Sequence, residues 1–169
     1  MDVETAIRTR RTHKAYRPEQ VPRETLRELL ELARWAPNHH MTNPWRFRVV
    51  GPAARERLKE AAGPESAPKL DRAPTLVVAS AKQNGDPVQD EEDVAATAAA
   101  IYIVLLAAHA RGLAGYWRTP AVLRTPEGRA AVGVPDDEHV LALIHLGQPR
   151  QEKPPPERAP SGDYVTYLP

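Results

Sequence analysis

The sequence predicts an α+β domain: a central mixed or antiparallel sheet of about five strands, one buried helix and flanking helices. Three observations carry this. Thr75–Ser80 and His139–Leu146 are apolar runs of strand length. Val94–Ala108 is apolar almost throughout and mostly alanine. It is too short for a bilayer span, which needs about 20 residues, so it reads as a core helix buried on all sides. From Pro22 onward Leu26, Leu29, Leu30 and Ala33 recur at helical spacing.

The elements follow in order. Asp2–Arg10 reads as a short helix capped by Asp2, with Val3, Ala6 and Ile7 on one face. Arg11–Gln20 is polar and irregular. A helix runs from about Pro22, a tolerated first-turn proline, to Ala36, where Pro37 ends it. Asn38–Pro44 is a loop, and Trp45–Val50 a strand broken by Gly51-Pro52. Ala53–Ala62 is amphipathic and helical, with Gly63-Pro64 behind it. Gln83–Asp93 is an acidic loop entering the core helix, which ends at Gly112. Ala114–Trp117 is a short strand, and a helix lies near Pro126–Val132 before the last apolar strand. Gln151–Pro160 is charged and proline-rich, with Pro154, Pro155 and Pro156 in a row, so it is extended. Asp163–Leu168 alternates like a strand, able to return to its own sheet or to pair with a neighbouring chain's. Residues 1–150 thus form one domain and 151–169 an arm.

Composition narrows the function classes. The 169 residues carry 23 basic and 22 acidic side chains, a net charge of +1. That balance argues against a general nucleic-acid binder. The lack of cysteine excludes disulfides, iron–sulfur clusters, thiolate zinc sites and a cysteine nucleophile, and fits a reducing, cytoplasmic compartment. Met1–Arg11 is charged and lacks the apolar core of a signal peptide. Neither a nucleophile-elbow serine, a P-loop nor a G-x-G-x-x-G run is present. With so little nucleophilic chemistry in the side chains, a cofactor bringing its own is the better expectation.

Three clusters could carry a ligand. Arg10, Arg11, Thr12, His13 and Lys14 gather cations, a hydroxyl and an imidazole after a short helix. Arginine's planar fork suits phosphate, although a solvated basic turn would read alike. Asn38, His39, His40, Thr42 and Asn43 fill a loop between a helix and a strand, where ligands are often held. Zinc is disfavoured there: adjacent histidines point apart and no further ligand is near in sequence. The third cluster, Tyr116 to Pro120, places an aromatic, a cation and a hydroxyl at a strand end. Its plainer reading is a core Trp117 beside an exposed Arg118.

In order, R-R-T-x-K-A-Y, a helix ending A-R-W-A-P, and N-H-x-x-x-N-P-W-R-F-x-V-V closely resemble the flavin-dependent nitroreductase family. The alanine-rich helix, G-L-x-G-x-W-R-T and I-x-L-G-x-P follow in that family's order, so the resemblance spans nearly the whole chain. The short length and W-R-T are most similar to the family's compact subgroup. Asn43 stands where Gln is usual, Pro120 where Gly is frequent, and Thr12 where Ser is.

The resemblance implies FMN as cofactor and a nitroreductase-like fold. Arg10, Arg11 and Thr12 would hold the FMN phosphate and ribityl chain, and Lys14 the flavin's pyrimidine edge. His39 and Asn43 would reach the flavin, in several relatives from the partner subunit. Trp117, Arg118 and Thr119 would lie beside it, with Arg150 or Lys153 as a late phosphate contact. It also implies a homodimer, with the last strand exchanged, and hydride chemistry carried by FMN rather than by a catalytic side chain. NAD(P)H would be the donor and nitroaromatics or quinones the acceptors, in ping-pong order. The alternatives are an FMN-binding protein with little turnover, acting as sensor, carrier or specialised partner, and a flavin-free interaction module.

Overall fold

The computed structural model describes residues 1–154 and 156–169. Helix α1 (Val3–Thr9) begins where the Asp2 side chain accepts the Thr5 N–H. Helix α2 (Arg23–Leu32) follows Pro22 and tightens into a 3-10 turn, Ala33–Trp35, so the predicted helix ends where expected but in a different winding. Strand β1 (Trp45–Val49) leads to α3 (Pro52–Ala62), then β2 (Thr75–Lys82).

Helix α4 (Pro87–Ala110) starts seven residues earlier than the apolar pattern suggests. Asp86 caps it by accepting the Val88 and Gln89 N–H groups, and Pro87 occupies the first turn. The acidic stretch read as a loop therefore forms the helix's first two turns. Its 24 residues do reach bilayer length, contrary to the shorter expectation. Nor is it buried on all sides. Asp93, Ala96, Ala100, Ile101, Val104, Leu105 and Ala108 are buried, whereas Tyr102 is exposed. That geometry is a core helix with one open stripe.

Strand β3 (Ala114–Arg118), helix α5 (Pro126–Ala131) and strand β4 (Glu138–Gly147) complete the fold. The strands lie in the order β1-β2-β4-β3, and every pairing is antiparallel. Among the described residues the sheet thus has four strands rather than the expected five or so, and is antiparallel rather than mixed. Among the described residues the fifth expected strand does not form: Ser161–Asp163 is a 3-10 turn, and Tyr164, Val165, Tyr167 and Leu168 beyond it are exposed. Alternation marks a strand's two faces, but a strand persists only against a paired edge. Within the expected arm, Pro155 lies outside the described residues.

Two cores flank the sheet. Val77, Ala79 and Ala81 of β2, with Ile144 and Leu146 of β4, pack with α2 and α4. Leu76, Val78 and Leu143 point the other way, onto the side carrying Leu58 of α3 and Ala131 of α5. This alternation is the period-two pattern of strands buried on both faces.

Candidate active site

The segment after α1 does not wander. Thr12 bridges Gly115 of β3 in parallel, and Tyr16 bridges Pro149. Tyr16 donates its hydroxyl to the His13 carbonyl at 2.7 Å, buried. The sequence therefore reads as irregular while the chain is pinned within the basic cluster, at Thr12, and just beyond it, at Tyr16.

The cations there meet few acids. Arg10 lays its guanidinium 5.5 Å from the Tyr102 ring centroid on α4, and its Nε is buried without a partner. Arg11 donates only to main-chain oxygens, those of Arg10 (2.6 Å) and Pro154 (3.3 Å). Lys153 donates to the Thr12 carbonyl at 3.2 Å, which brings the loosely expected Lys153 to the cluster. Among the described residues no carboxylate pairs with Arg10, Arg11, Lys14 or Lys153. Burial, then the charge of Arg10 and Arg11, lowers the pKa of His109, whose ring meets the Thr9 hydroxyl at 2.8 Å. Burial, then Lys153 and His109, does the same to His13. Both imidazoles are thus biased to the neutral form, and the positive charge rests on the arginines and lysines.

The second cluster sits elsewhere. His39 meets Glu92 at 2.7 Å, and Thr42 donates to Asp93 at 2.6 Å, so this loop rides on the first half of α4. Asn38 accepts the Asn43 N–H, and Asn43 donates its amide to the Met41 carbonyl. His40, Met41 and Asn43 all have positive φ, 53°, 53° and 47°. Three left-handed residues without glycine store about 1 kcal/mol or more each, which a loop retains only when its surroundings impose it. The expectation that the adjacent histidines point apart fails: their rings stack at 3.8 Å, because the left-handed turn at His40 folds its side chain onto His39.

The third cluster is divided by the strand's own pleat. Trp117 turns into the α2–α4 core and donates Nε1 to the Leu141 carbonyl at 2.9 Å. Leu141 is the residue that the register shift in β4 leaves without a β2 partner, so the indole satisfies a carbonyl at the irregularity. Arg118 points to the opposite face, half-buried, with a long contact of 3.5 Å to the Lys69 carbonyl. Burial lowers its pKa, as does Arg72 nearby. Thr119 is exposed beyond the strand end.

Two cavities take up members of different clusters separately. Lys14 and Arg150 line one of about 510 Å³ with Tyr16, Arg17, Arg55 and Arg72, and Arg118 lines another of about 220 Å³. The basic cluster contacts α4 at Tyr102 and His109, the polar loop at Glu92 and Asp93. At 1.5 Å per residue these stations lie about 15–25 Å apart along the helix. Sequence reading missed Tyr102, Glu92 and Asp93, which sit inside a helix whose periodicity reports only burial. It also missed Arg55 and Arg72, single cations on separate segments that no local pattern marks.

A profile of the Nitroreductase family matches residues 7–65 and 63–148. The chain is 29% identical over 178 residues to the candidate NAD(P)H nitroreductase YfhC of Bacillus subtilis (strain 168), covering 96% of this chain and 92% of that protein. Its fold superposes with a TM-score of 0.90 on a nitroreductase-like family protein from Bacillus cereus, at 23% identity, covering 99% and 96% of the two chains. The FMN-dependent nitroreductase NfnB from Mycobacterium smegmatis, solved with NADPH, matches with a TM-score of 0.78 at 22% identity, covering 98% and 97%. The motifs, the sheet order and a profile that spans most of the chain agree: this protein belongs to the nitroreductase family and is an oxidoreductase of that kind.

Proposed function

We propose that the protein is an FMN-dependent NAD(P)H oxidoreductase that works as a homodimer and reduces electron-poor acceptors such as nitroaromatics or quinones. One observation carries the reading: the Arg10–Lys14 segment offers cations with main-chain or aromatic partners only, fixed by the Thr12–Gly115 bridge beside β3. That donor set fits a phosphate. Arg10 Nε is buried and lacks an acceptor, and Arg11 and Lys153 can exchange weak main-chain contacts for charge-assisted bonds. When bound, FMN supplies the hydride chemistry.

The chain's own residues do the rest. Arg10, Arg11, Thr12 and Lys153 hold the phosphate end. Lys14 places a positive charge that favours a more negative ring. The main chain of Trp117–Thr119 borders the cofactor, since the Trp117 indole is already engaged in the core. His39 and Asn43 lie too far along α4 to join within one chain, so a second copy delivers them. YfhC's name and the NfnB structure with NADPH support a nicotinamide donor.

The C-terminal arm has a docking place on that second copy. Among the described residues the outer edge of β1 is unpaired, and beside it lies a groove of about 930 Å³ lined by Leu26 and Leu30 of α2 and by Val49 and Pro52. Val49, Tyr164, Val165, Tyr167 and Leu168 are exposed apolar surface in the single chain. Pairing the arm as a strand on β1 buries both.

The visible spectrum of the purified protein tests the cofactor. We expect a flavin spectrum, release of FMN on heating, and anaerobic bleaching by NADH or NADPH. A colourless protein that takes up no FMN overturns the reading. Arg10→Ala with Arg11→Ala should lose at least about tenfold in FMN affinity while keeping the far-UV circular dichroism. Wild-type flavin content in that variant removes these residues from the site.

A further inference from the structure

The cavity under the end of the sheet where β2 begins and β4 ends is cationic from four directions. Lys14 and Arg17 come from the segment after α1, Arg55 from α3, Arg72 from the approach to β2, and Arg150 from beyond β4. The one acid in its wall, Asp71, is paired with Lys59 at 3.0 Å. Several cations elsewhere are paired with acids: Arg8 with Glu4, Arg27 with Glu24, Arg34 with Glu31, Arg48 with Glu138, Lys82 with Asp137. Here, among the described residues, the side chains of Lys14, Arg17, Arg72 and Arg150 have no acidic partner and donate no hydrogen bond within the protein. Arg55 spends one N–H on the Pro74 carbonyl at 2.9 Å, which fixes its guanidinium and leaves its other donors free.

Five converging like charges repel one another, and a chain with nearly balanced charge had acids available to place among them. His145, 1% exposed with both ring nitrogens unpartnered, lies within the field of Arg55 and Arg72 and adds no negative charge. What balances such a set is a multivalent anion with oxygens for several forks. The volume, about 510 Å³, is far more than one phosphate fills.

We propose that this cavity is a second anion site, which binds the phosphate or diphosphate group of a small molecule through Arg17, Arg55 and Arg72. Lys14 and Arg150, which the flavin reading also uses, stand in its wall, whereas Arg17, Arg55 and Arg72 belong to none of the segments assigned to the flavin. Two sources share this chemistry: a free phosphoanion, and the phosphate-bearing part of a nucleotide.

The test is calorimetric titration of the full-length protein with sodium pyrophosphate at low and at high ionic strength. Wild type should bind saturably, more weakly in high salt. Arg17→Gln/Arg72→Gln, both exposed positions, should lose about tenfold or more in affinity with flavin content and circular dichroism unchanged. Arg17→Lys/Arg72→Lys, which keeps the charge but not the forks, should fall between. Competition by NADH and NADPH alike assigns the site to a nucleotide diphosphate, by NADPH alone to its ribose phosphate, and by neither to a free phosphoanion. The proposal is overturned by absence of saturable pyrophosphate binding, by equal binding in the Gln variant, or by flavin loss in that variant, which would merge the cavity with the flavin site.

Discussion

At Glu138 a single carboxylate organises the far end of the sheet. It accepts two bonds from Arg48, at 2.7 and 2.8 Å, and one from the buried Ser80 hydroxyl. Burial raises its pKa, but the bonds from Arg48 and Ser80 outweigh this and hold it below its ordinary value. Glu138→Ala strands Arg48 and Ser80 together, and should cost about 2–3 kcal/mol in urea unfolding because Arg48 still reaches some water. His145 acts in the opposite sense. Buried between Tyr116 and the arginines, its pKa falls from 6.5 to about 4, through burial first and then Arg118, Arg55 and Arg72. The unfolded chain therefore binds a proton below pH 6.5 that the folded chain refuses until about pH 4. Stability should be complete above that window and decline through it on acidification, by on the order of 3 kcal/mol. His145→Leu should flatten this limb of the stability profile; an unchanged slope would show that other groups titrate there.

Elements are held by contacts that their own sequences only half announce. Helix α5 is short, and its approach to the preceding turn depends on Gly128: a Cβ there would stand 1.8 Å from the Val122 carbonyl oxygen. Because that neighbour is backbone, Gly128→Ala should destabilise by about 3 kcal/mol, whereas Gly162→Ala, open to solvent, should change the melting temperature little. The C-terminal arm tests the dimer proposal at the same scale. A chain ending before Gln151 should lose both tight dimerisation and bound flavin, because the β1 edge is left open and Lys153 is gone. Sedimentation and the visible spectrum report the two losses separately, and a truncated chain that remains a flavin-loaded dimer refutes the exchange.

For the whole molecule, α4 is the ruler. It runs through the α2–α4 core and presents the polar loop near one end and the basic cluster toward the other. In the proposed homodimer each monomer would contribute two halves of a site, and two copies would complete two sites. In the proposed oxidoreductase, flavin occupancy should fall together with dimer content as the protein is diluted, a coupling that gel filtration with absorbance at flavin wavelengths measures.

The chain's local chemistry determined the elements: apolar runs with turn residues gave β2 and β4, and Asp2, Pro22 and Pro37 set helix ends. The motifs located the basic segment, the polar loop and the strand-end cluster, because charge and hydrogen-bonding groups are properties of residue type. Tertiary structure alone decided the rest. Acidic residues before Val94 joined α4 once Asp86 capped it. Among the described residues the alternating tail pairs with no strand of its own chain, although the outer edge of β1 is open. Trp117 and Arg118, neighbours in sequence, parted across the sheet. The cationic cavity drew its arginines from segments far apart in the chain. Periodicity records which side of an element is apolar; only packing fixes what meets that side, and the sites of this protein are made where distant segments meet.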